Sequence, residues 1–409
     1  MDSPLAVHRA PWVLPISRPP IQDGGVALRA GKICAVSRFS EVLRRHPDAA
    51  VLDHPDAVLL PGLINAHTHL ELSHLAYLSR QPAPPTFTGW IAQMLAERAK
   101  VADDTETIAA AAARTALTEQ QRQGVVAIAD ISNSGLTRNF SSAFTGRLLC
   151  FKEYLGLRAD EVTMALKGLA KEGVQPCTGH APYSTHPDLL RALKSRAGRL
   201  GHIFPIHVAE PAAENTLINQ GTGEIRDFLE QRGFWNDSFQ PLGRGSEGSV
   251  TYLHRHSLLD RRTLCVHCIQ VTEQEIDLLA ENGARVCLCP SSNRYLGVGK
   301  APAEKYLRNG ILPALGTDSL TSNPELSLWR EMRLLAEDHP GIAPADILRM
   351  ATLGGAQALG LDRVLGSLEA GKEAAIIAAE LPEAIRNLSA VQEYLVHSVQ
   401  QGGGDVHLL

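Results

Sequence analysis

The sequence predicts an α/β protein, a (β/α)8 TIM-like barrel with a small β-sandwich domain formed from both chain ends. Three observations predict it. Eight short apolar runs alternate with stretches of helical composition through the middle of the chain. Polar and ionisable residues recur where those runs end. Short Val- and Ile-rich runs with tight turns occur near both termini. Alternating strand–helix units imply a parallel sheet, and eight of them suffice to close one into a barrel.

Residues 1–56 read as short strands, among them 25–28 and 32–36, too few for a core of their own. A similar run at 374–379 follows the turn Gly366-Ser367-Leu368-Glu369-Ala370-Gly371-Lys372. The expected division is therefore 1–56 with 366–409 as the small domain and 57–365 as the barrel. The barrel strands are expected at 59–66, 125–131, 148–155, 176–180, 204–207, 264–267, 285–289 and 312–316. Helices are expected at 105–123, 161–171, 187–195, 214–230 and 272–281. The Gly- and Ser-rich stretch 237–248 reads as a loop insertion, and no internal repeat is evident.

A chain of 409 residues exceeds the usual single core, and 44% hydrophobic content supports a substantial one. A net charge of −5 leaves no basic footprint for nucleic acid. Residues 1–15 show no cationic segment followed by an apolar one, and no run of about 18 apolar residues occurs, so neither a signal peptide nor a membrane span is expected. Seven scattered cysteines suit reduced thiols in the cytoplasm. Cys265-Val266-His267-Cys268 with Cys287-Leu288-Cys289 could be drawn as a zinc knuckle. Both lie in strand-like runs, where cysteine behaves as a small hydrophobe.

The densest signal is Leu59-Leu60-Pro61-Gly62-Leu63-Ile64-Asn65-Ala66-His67-Thr68-His69-Leu70-Glu71. Alternate residues on a strand share a face, so His67 and His69 point the same way and offer two legs of a metal site. Later run ends supply His180, then His207 with Glu210 three residues on, then His267, then Asp318. A lone histidine is more often a satisfied core residue than a ligand. A series of histidines and acids at one end of a barrel is not explained that way, because barrel active sites gather there.

Pro-Gly-Leu-Ile-Asn-Ala-His-Thr-His resembles the first-strand signature of the amidohydrolase superfamily. More closely it resembles the branch of cytosine, guanine and S-adenosylhomocysteine deaminases and chlorohydrolases. The continuation His69-Leu70-Glu71-Leu72-Ser73 looks most like aminodeoxyfutalosine deaminases of menaquinone synthesis. The resemblance runs along nearly the whole chain and implies the same barrel and terminal sandwich. The chain departs from it at Ala375, where relatives commonly carry Asp.

That resemblance assigns metal-ligand roles to His67, His69, His207 and Asp318. No lysine stands at the end of the fourth strand, where two-metal relatives carry a carboxylated one, so one divalent ion is expected, zinc ahead of iron. It implies a hydrolytic deaminase in which metal-bound hydroxide attacks the ring and ammonia leaves. Asp318 would take the water's proton, His267 would orient the water, and Glu210 would protonate a ring nitrogen. His180, Glu71, Trp90 and Asn293 are the candidate substrate contacts. The implied partner is a small aminopurine nucleoside, with no nucleic acid or membrane, and a homodimer as the open question of assembly. Other readings are an S-adenosylhomocysteine- or 5′-deoxyadenosine-type deaminase, a chlorohydrolase or cyclic amidohydrolase, which would not need Glu210, and a barrel that has lost catalysis. His8, His46, His54, His254, His256, His339, His397 and His407 have no motif context and read as surface.

Overall fold

The computed structural model describes residues 5–100, 105–140, 143–237, 239–243, 245, 248–385, 387–399 and 406–409. Five strands open the chain: β1 (Ala6–Val13), β2 (Ile21–Arg29), β3 (Lys32–Arg38), β4 (Ala50–Asp53) and β5 (Ala57–Pro61). Eight more follow, alternating mostly with helices: β6 (Leu63–Thr68), β7 (Val125–Ser132), β8 (Arg147–Tyr154), β9 (Cys177–Gly179), β10 (Phe204–Val208), β11 (Thr263–His267), β12 (Arg285–Leu288) and β13 (Ala314–Leu315). The chain closes with β14 (Ile376–Glu380) and β15 (Val406–Leu408).

Both chain ends join one seven-stranded sheet, ordered β15-β14-β5-β1-β2-β3 with β4 beside β1. β14 runs antiparallel to β5, with Ile376 opposite Pro61 and Glu380 opposite Ala57. The run expected as a single strand at 59–66 is thus two strands. Residues up to Pro61 belong to the terminal sheet, and Leu63 starts the parallel one. Gly62 makes the break, and a Cβ there would come within 2.3 Å of the Val126 side chain. His8, expected at the surface, is buried on β1, with Nδ1 3.0 Å from His54 Nε2. Of the expected loop, residues 238, 244, 246 and 247 lie outside the described residues, as do 1–4 and 400–405 of the chain ends.

The eight middle strands form two four-stranded parallel sheets, β6-β7-β8-β9 and β10-β11-β12-β13, not one continuous ladder. A few bonds cross each seam. His207 N–H donates to His180 O at 3.0 Å, and Thr317 N–H to His67 O at 3.0 Å. β6, β7, β9, β10 and β11 are buried along their whole length, as parallel strands covered on both faces are. Ile64, Ala66, Ala129, Phe151, Leu264, Val266 and Cys287 pack together across both sheets. Their sequence neighbours Leu63, Ile128, Cys265 and Val286 pack in a second cluster with helix residues such as Leu117, Leu189 and Leu193. This period-two alternation leaves side chains just past the strand ends free to converge. No described helix is long and apolar enough to cross a membrane.

Candidate active site

Five strand exits supply the cluster. β6 carries His67 one residue before its end and leads to His69. A fully buried Asn65 fixes this exit: its Nδ2 donates to Gln120 Oε1 and Thr317 Oγ1, both at 2.7 Å, and its Oδ1 accepts from Thr317 N at 3.2 Å. Asp318 follows β13 with φ +55°, and His267 ends β11 with φ +73°. Such backbone costs free energy in non-glycine residues and persists only where neighbours hold it. Asp318 is held by its N–H on His67 O at 3.1 Å and by Thr68 Oγ1 donating to its carbonyl at 2.8 Å. Its Oδ2 accepts from Ser292 Oγ at 2.6 Å and Ser322 Oγ at 3.2 Å.

The donor atoms converge. His69 Nε2 lies 3.1 Å from His67 Nε2 and 3.2 Å from His207 Nε2. Asp318 Oδ1 lies 3.7 Å from His67 Nε2 and 3.6 Å from His69 Nε2. His207 Nδ1–H donates to His180 O at 2.9 Å, which leaves Nε2 as a lone pair facing its neighbours. Facing lone pairs at these distances repel unless a cation lies among them. Four donors about 2.0–2.2 Å from one ion, at angles of roughly 90–120°, stand about 2.9–3.7 Å apart. The cluster therefore fits a divalent metal ion.

Electrostatics agree. Burial first, opposed by the Asp318 contact, lowers the His67 value to about 4, so the ring is neutral and can ligate. Burial also lowers His207, reinforced by His67 and His180. Burial alone would raise Asp318, but His67, His69 and His267 outweigh it and hold the carboxyl well below the usual range.

Glu210 and His267 stand beside the cluster. Glu210 Oε1 lies 3.6 Å from His267 Nε2, and both side chains are almost wholly buried. His267 Nδ1 lies 3.1 Å from Asn293 Oδ1, and a proton shared there leaves Nε2 free to accept a hydrogen bond. Burial, then Asp318 and Glu214, raise the Glu210 carboxyl well above its ordinary value. Glu210 N–H is anchored on Glu214 Oε2 at 3.1 Å.

A cleft of about 1110 Å³, counted to its open mouth, meets this cluster, and His69, His180, His207, Glu210, His267 and Asp318 line it. Of the expected substrate contacts, His180, Glu71 and Trp90 also line it and Asn293 does not. Asn293 sits on the helix Pro290–Leu296 behind His267 and holds that ring. His180 is fixed by Ser184 Oγ at 2.6 Å. Trp90 lies on the helix Phe87–Ala99, its ring 5.8 Å from Phe87. Glu71 accepts from Ser132 Oγ at 2.7 Å, Asn133 N at 2.9 Å and Ser134 N at 3.0 Å. The sequence reading missed Glu153, Asn133 and Arg98, which line the same cleft. Glu153 had a signal: an acid near the end of an otherwise apolar barrel strand.

This convergence of imidazoles and a carboxylate at parallel-strand ends has a family match. The chain belongs to the amidohydrolase family, whose model matches residues 58–400. Within it, the chain is 32% identical over 389 residues to a 5-methylthioadenosine/S-adenosylhomocysteine deaminase of Nitratidesulfovibrio vulgaris, covering 89% of this chain and 80% of the relative. It is 28% identical to an aminodeoxyfutalosine deaminase of a Nitratiruptor species, covering 93% and 92%. Among solved structures, a zinc-bound adenosine deaminase from Xanthomonas campestris superposes with TM-score 0.77 at 27% identity, covering 98% of this chain and 90% of that one. The Helicobacter pylori aminofutalosine deaminase bound to methylthio-coformycin shares the fold with TM-score 0.82 at 23% identity, covering 98% and 100%.

Proposed function

We propose that this protein removes the 6-amino group of an adenine nucleoside derivative by hydrolysis and releases ammonia. The observation that carries this reading is Glu210, a buried acid in the cleft 3.6 Å from His267, whose carboxyl burial and Asp318 push above its ordinary value. Hydrolysis of an amide calls for an oxyanion stabiliser more than for such an acid. Relatives named as adenosine-type deaminases cover most of the chain and support the same chemistry.

His67, His69, His207 and Asp318 would hold the ion, with zinc ahead of iron on the strength of the zinc-bound adenosine deaminase that shares this fold. A bound divalent ion supplies Lewis acidity that brings a water's ionisation near neutral pH. Glu210 gives its proton to the ring nitrogen beside the amino-bearing carbon, which makes that carbon electrophilic. Asp318 takes a proton from the attacking water, and His267 Nε2 accepts a hydrogen bond that orients it. As the tetrahedral centre collapses, Asp318 returns its proton to the amino nitrogen, the carbon–nitrogen bond breaks to release ammonia, and the hydroxyl proton passes back to Glu210 as the carbonyl forms.

Met94, Phe228, Leu229 and Phe234 give the cleft an apolar lining, and its volume has room for a nucleoside with a bulky 5′-substituent. Aminodeoxyfutalosine is the substrate we favour, because that relative matches over 93% of this chain and 92% of its own; this would place the protein in menaquinone synthesis. Methylthioadenosine or S-adenosylhomocysteine is the second reading, on the higher identity. We read the two parallel sheets as walls of one (β/α)8 barrel over 57–365, with 1–56 and 366–409 as the small domain. Seven unpaired thiols support a reducing, cytoplasmic setting. The test is product analysis with the metal-loaded protein on these nucleosides. Ammonia equal to the hypoxanthine product is expected, and ammonia-free turnover or none at all would sink the proposal.

A further inference from the structure

Glu153 stands near the end of β8, in the wall of the cleft, and is 6% exposed. Its Oε2 accepts a hydrogen bond from Asn133 Nδ2 at 2.8 Å. Its Oε1 is buried with no hydrogen-bond partner among the described residues. The neighbouring His207 Nδ1 is 3.7 Å away and already committed to His180 O at 2.9 Å. A buried acceptor without a donor is costly, so a cleft wall that retains one is built for a ligand that brings the donor.

Glu71, on the other side of Asn133, is the opposite case. Its Oε1 takes Asn133 N at 2.9 Å and Arg98 Nη2 at 3.5 Å. Its Oε2 takes Ser132 Oγ, Ser134 N and the Ser134 hydroxyl. A carboxylate has about four lone-pair sites, and these donors fill them. Glu71 therefore clasps the 132–134 loop and has little capacity left for a sugar, although it is one of the substrate contacts expected from the sequence.

We infer that Glu153 Oε1 accepts hydrogen bonds from the vicinal ribose hydroxyls of the substrate and makes the site selective for ribonucleosides over deoxyribonucleosides. The inference rests on the nucleoside reading above. With the base ring against Glu210 and His267, on the β10 and β11 side, the sugar extends past His180 toward β8. His180, Glu153 and Glu210 line this one continuous cleft. A site built to bond a substrate hydroxyl rejects the analogue lacking it, because the buried acceptor is then left unpaired.

The test compares adenosine with 2′-deoxyadenosine, 3′-deoxyadenosine and 5′-amino-5′-deoxyadenosine in the metal-loaded wild type, Glu153→Gln and Glu153→Asp. Turnover gives kcat/KM, and equilibrium dialysis of the matching inosine nucleosides gives binding without chemistry. Glu153→Gln keeps the side-chain volume, and Glu153→Asp keeps the carboxyl group if the amide variant folds poorly. The wild type should favour the ribonucleoside over at least one deoxy analogue. Glu153→Gln should lose about 10- to 100-fold on adenosine and almost nothing on that analogue, in both readouts, with metal content unchanged. Equal losses on all substrates would overturn the inference, and so would a larger loss on the 5′-amine, which would mark Glu153 as a cation site. Sugar discrimination in binding without any deamination would defeat the deaminase reading and leave this inference standing. Normal deamination with an unchanged sugar preference in both variants would defeat this inference alone.

Discussion

Replacing Glu210 by Gln tests proton transfer separately from metal binding. The substitution keeps the side-chain size, removes the transferable proton and buries no new charge. The backbone bond from Glu210 N to Glu214 Oε2 is untouched, and so are His67, His69, His207 and Asp318. Fold and metal content should therefore match the wild type. Positioned acid–base groups contribute about 10² to 10⁴ in rate, which is about 3–5 kcal/mol of barrier. Glu210 belongs in that range because it lines the cleft beside His267 and burial raises its carboxyl, which favours the proton-bearing form. Asp318→Asn should lose more, since one substitution weakens a ligand and removes the base. The assay is kcat on an adenine nucleoside at saturating metal, repeated on a purine nucleoside with a good leaving group at the same carbon. That analogue should lose less in Glu210→Gln. Equal losses on both substrates would mean that Glu210 only places the ring, and full activity on both would remove it from the mechanism.

Other outcomes follow from the same geometry. His67→Ala, His69→Ala and His207→Ala should each lower bound metal in elemental analysis, and near-full metal in any one would strike that residue from the set. Asp130 is fully buried, and burial pushes its carboxyl up to about 7 from an ordinary 3.8, against hydrogen bonds from Thr137 and Leu70. Its folded value exceeds its unfolded one, so its contribution to stability is whole below about pH 4 and is lost as pH rises toward 7. Asp130→Asn should flatten that slope by on the order of a few kcal/mol in denaturant titrations at pH 5 and pH 8, and identical slopes would contradict the buried-acid assignment. Gly62→Ala forces a methyl within 2.3 Å of Val126, so chemical denaturation should show a loss of about 1–3 kcal/mol, whereas an unchanged midpoint would mean that the β5–β6 break tolerates a side chain.

The strand-end residues were legible because two periodicities made them so. Alternation on β6 placed His67 and His69 on one side, and the structure brings their Nε2 atoms to 3.1 Å. Spacing along the chain then put His207, His267 and Asp318 at later strand ends. Illegible features depended on what lies across from a residue, which no local pattern encodes. Nothing in Pro61-Gly62 alone says that the strand stops there to pair with β14, far along the chain at Ile376. His8 looked like a surface residue because its partner His54 arrives on the loop after β4. Asn293 was placed at a strand exit, but Pro290 starts a helix that turns it behind His267. Glu71 and Glu153 are both acids near a strand end, and only their hydrogen-bond partners separate the filled carboxylate from the open one.

The most direct test of the account is the absorbance change as adenine becomes hypoxanthine, followed over a panel of 5′-modified adenosines. One preparation is measured as purified, after chelation, and after zinc is restored. The account predicts loss of the adenine band on at least one 5′-modified nucleoside, abolished by the chelator and recovered with the metal. A metal-replete protein that leaves every adenosine on the panel unchanged, or deamination that persists at full rate after the metal is stripped, would contradict it.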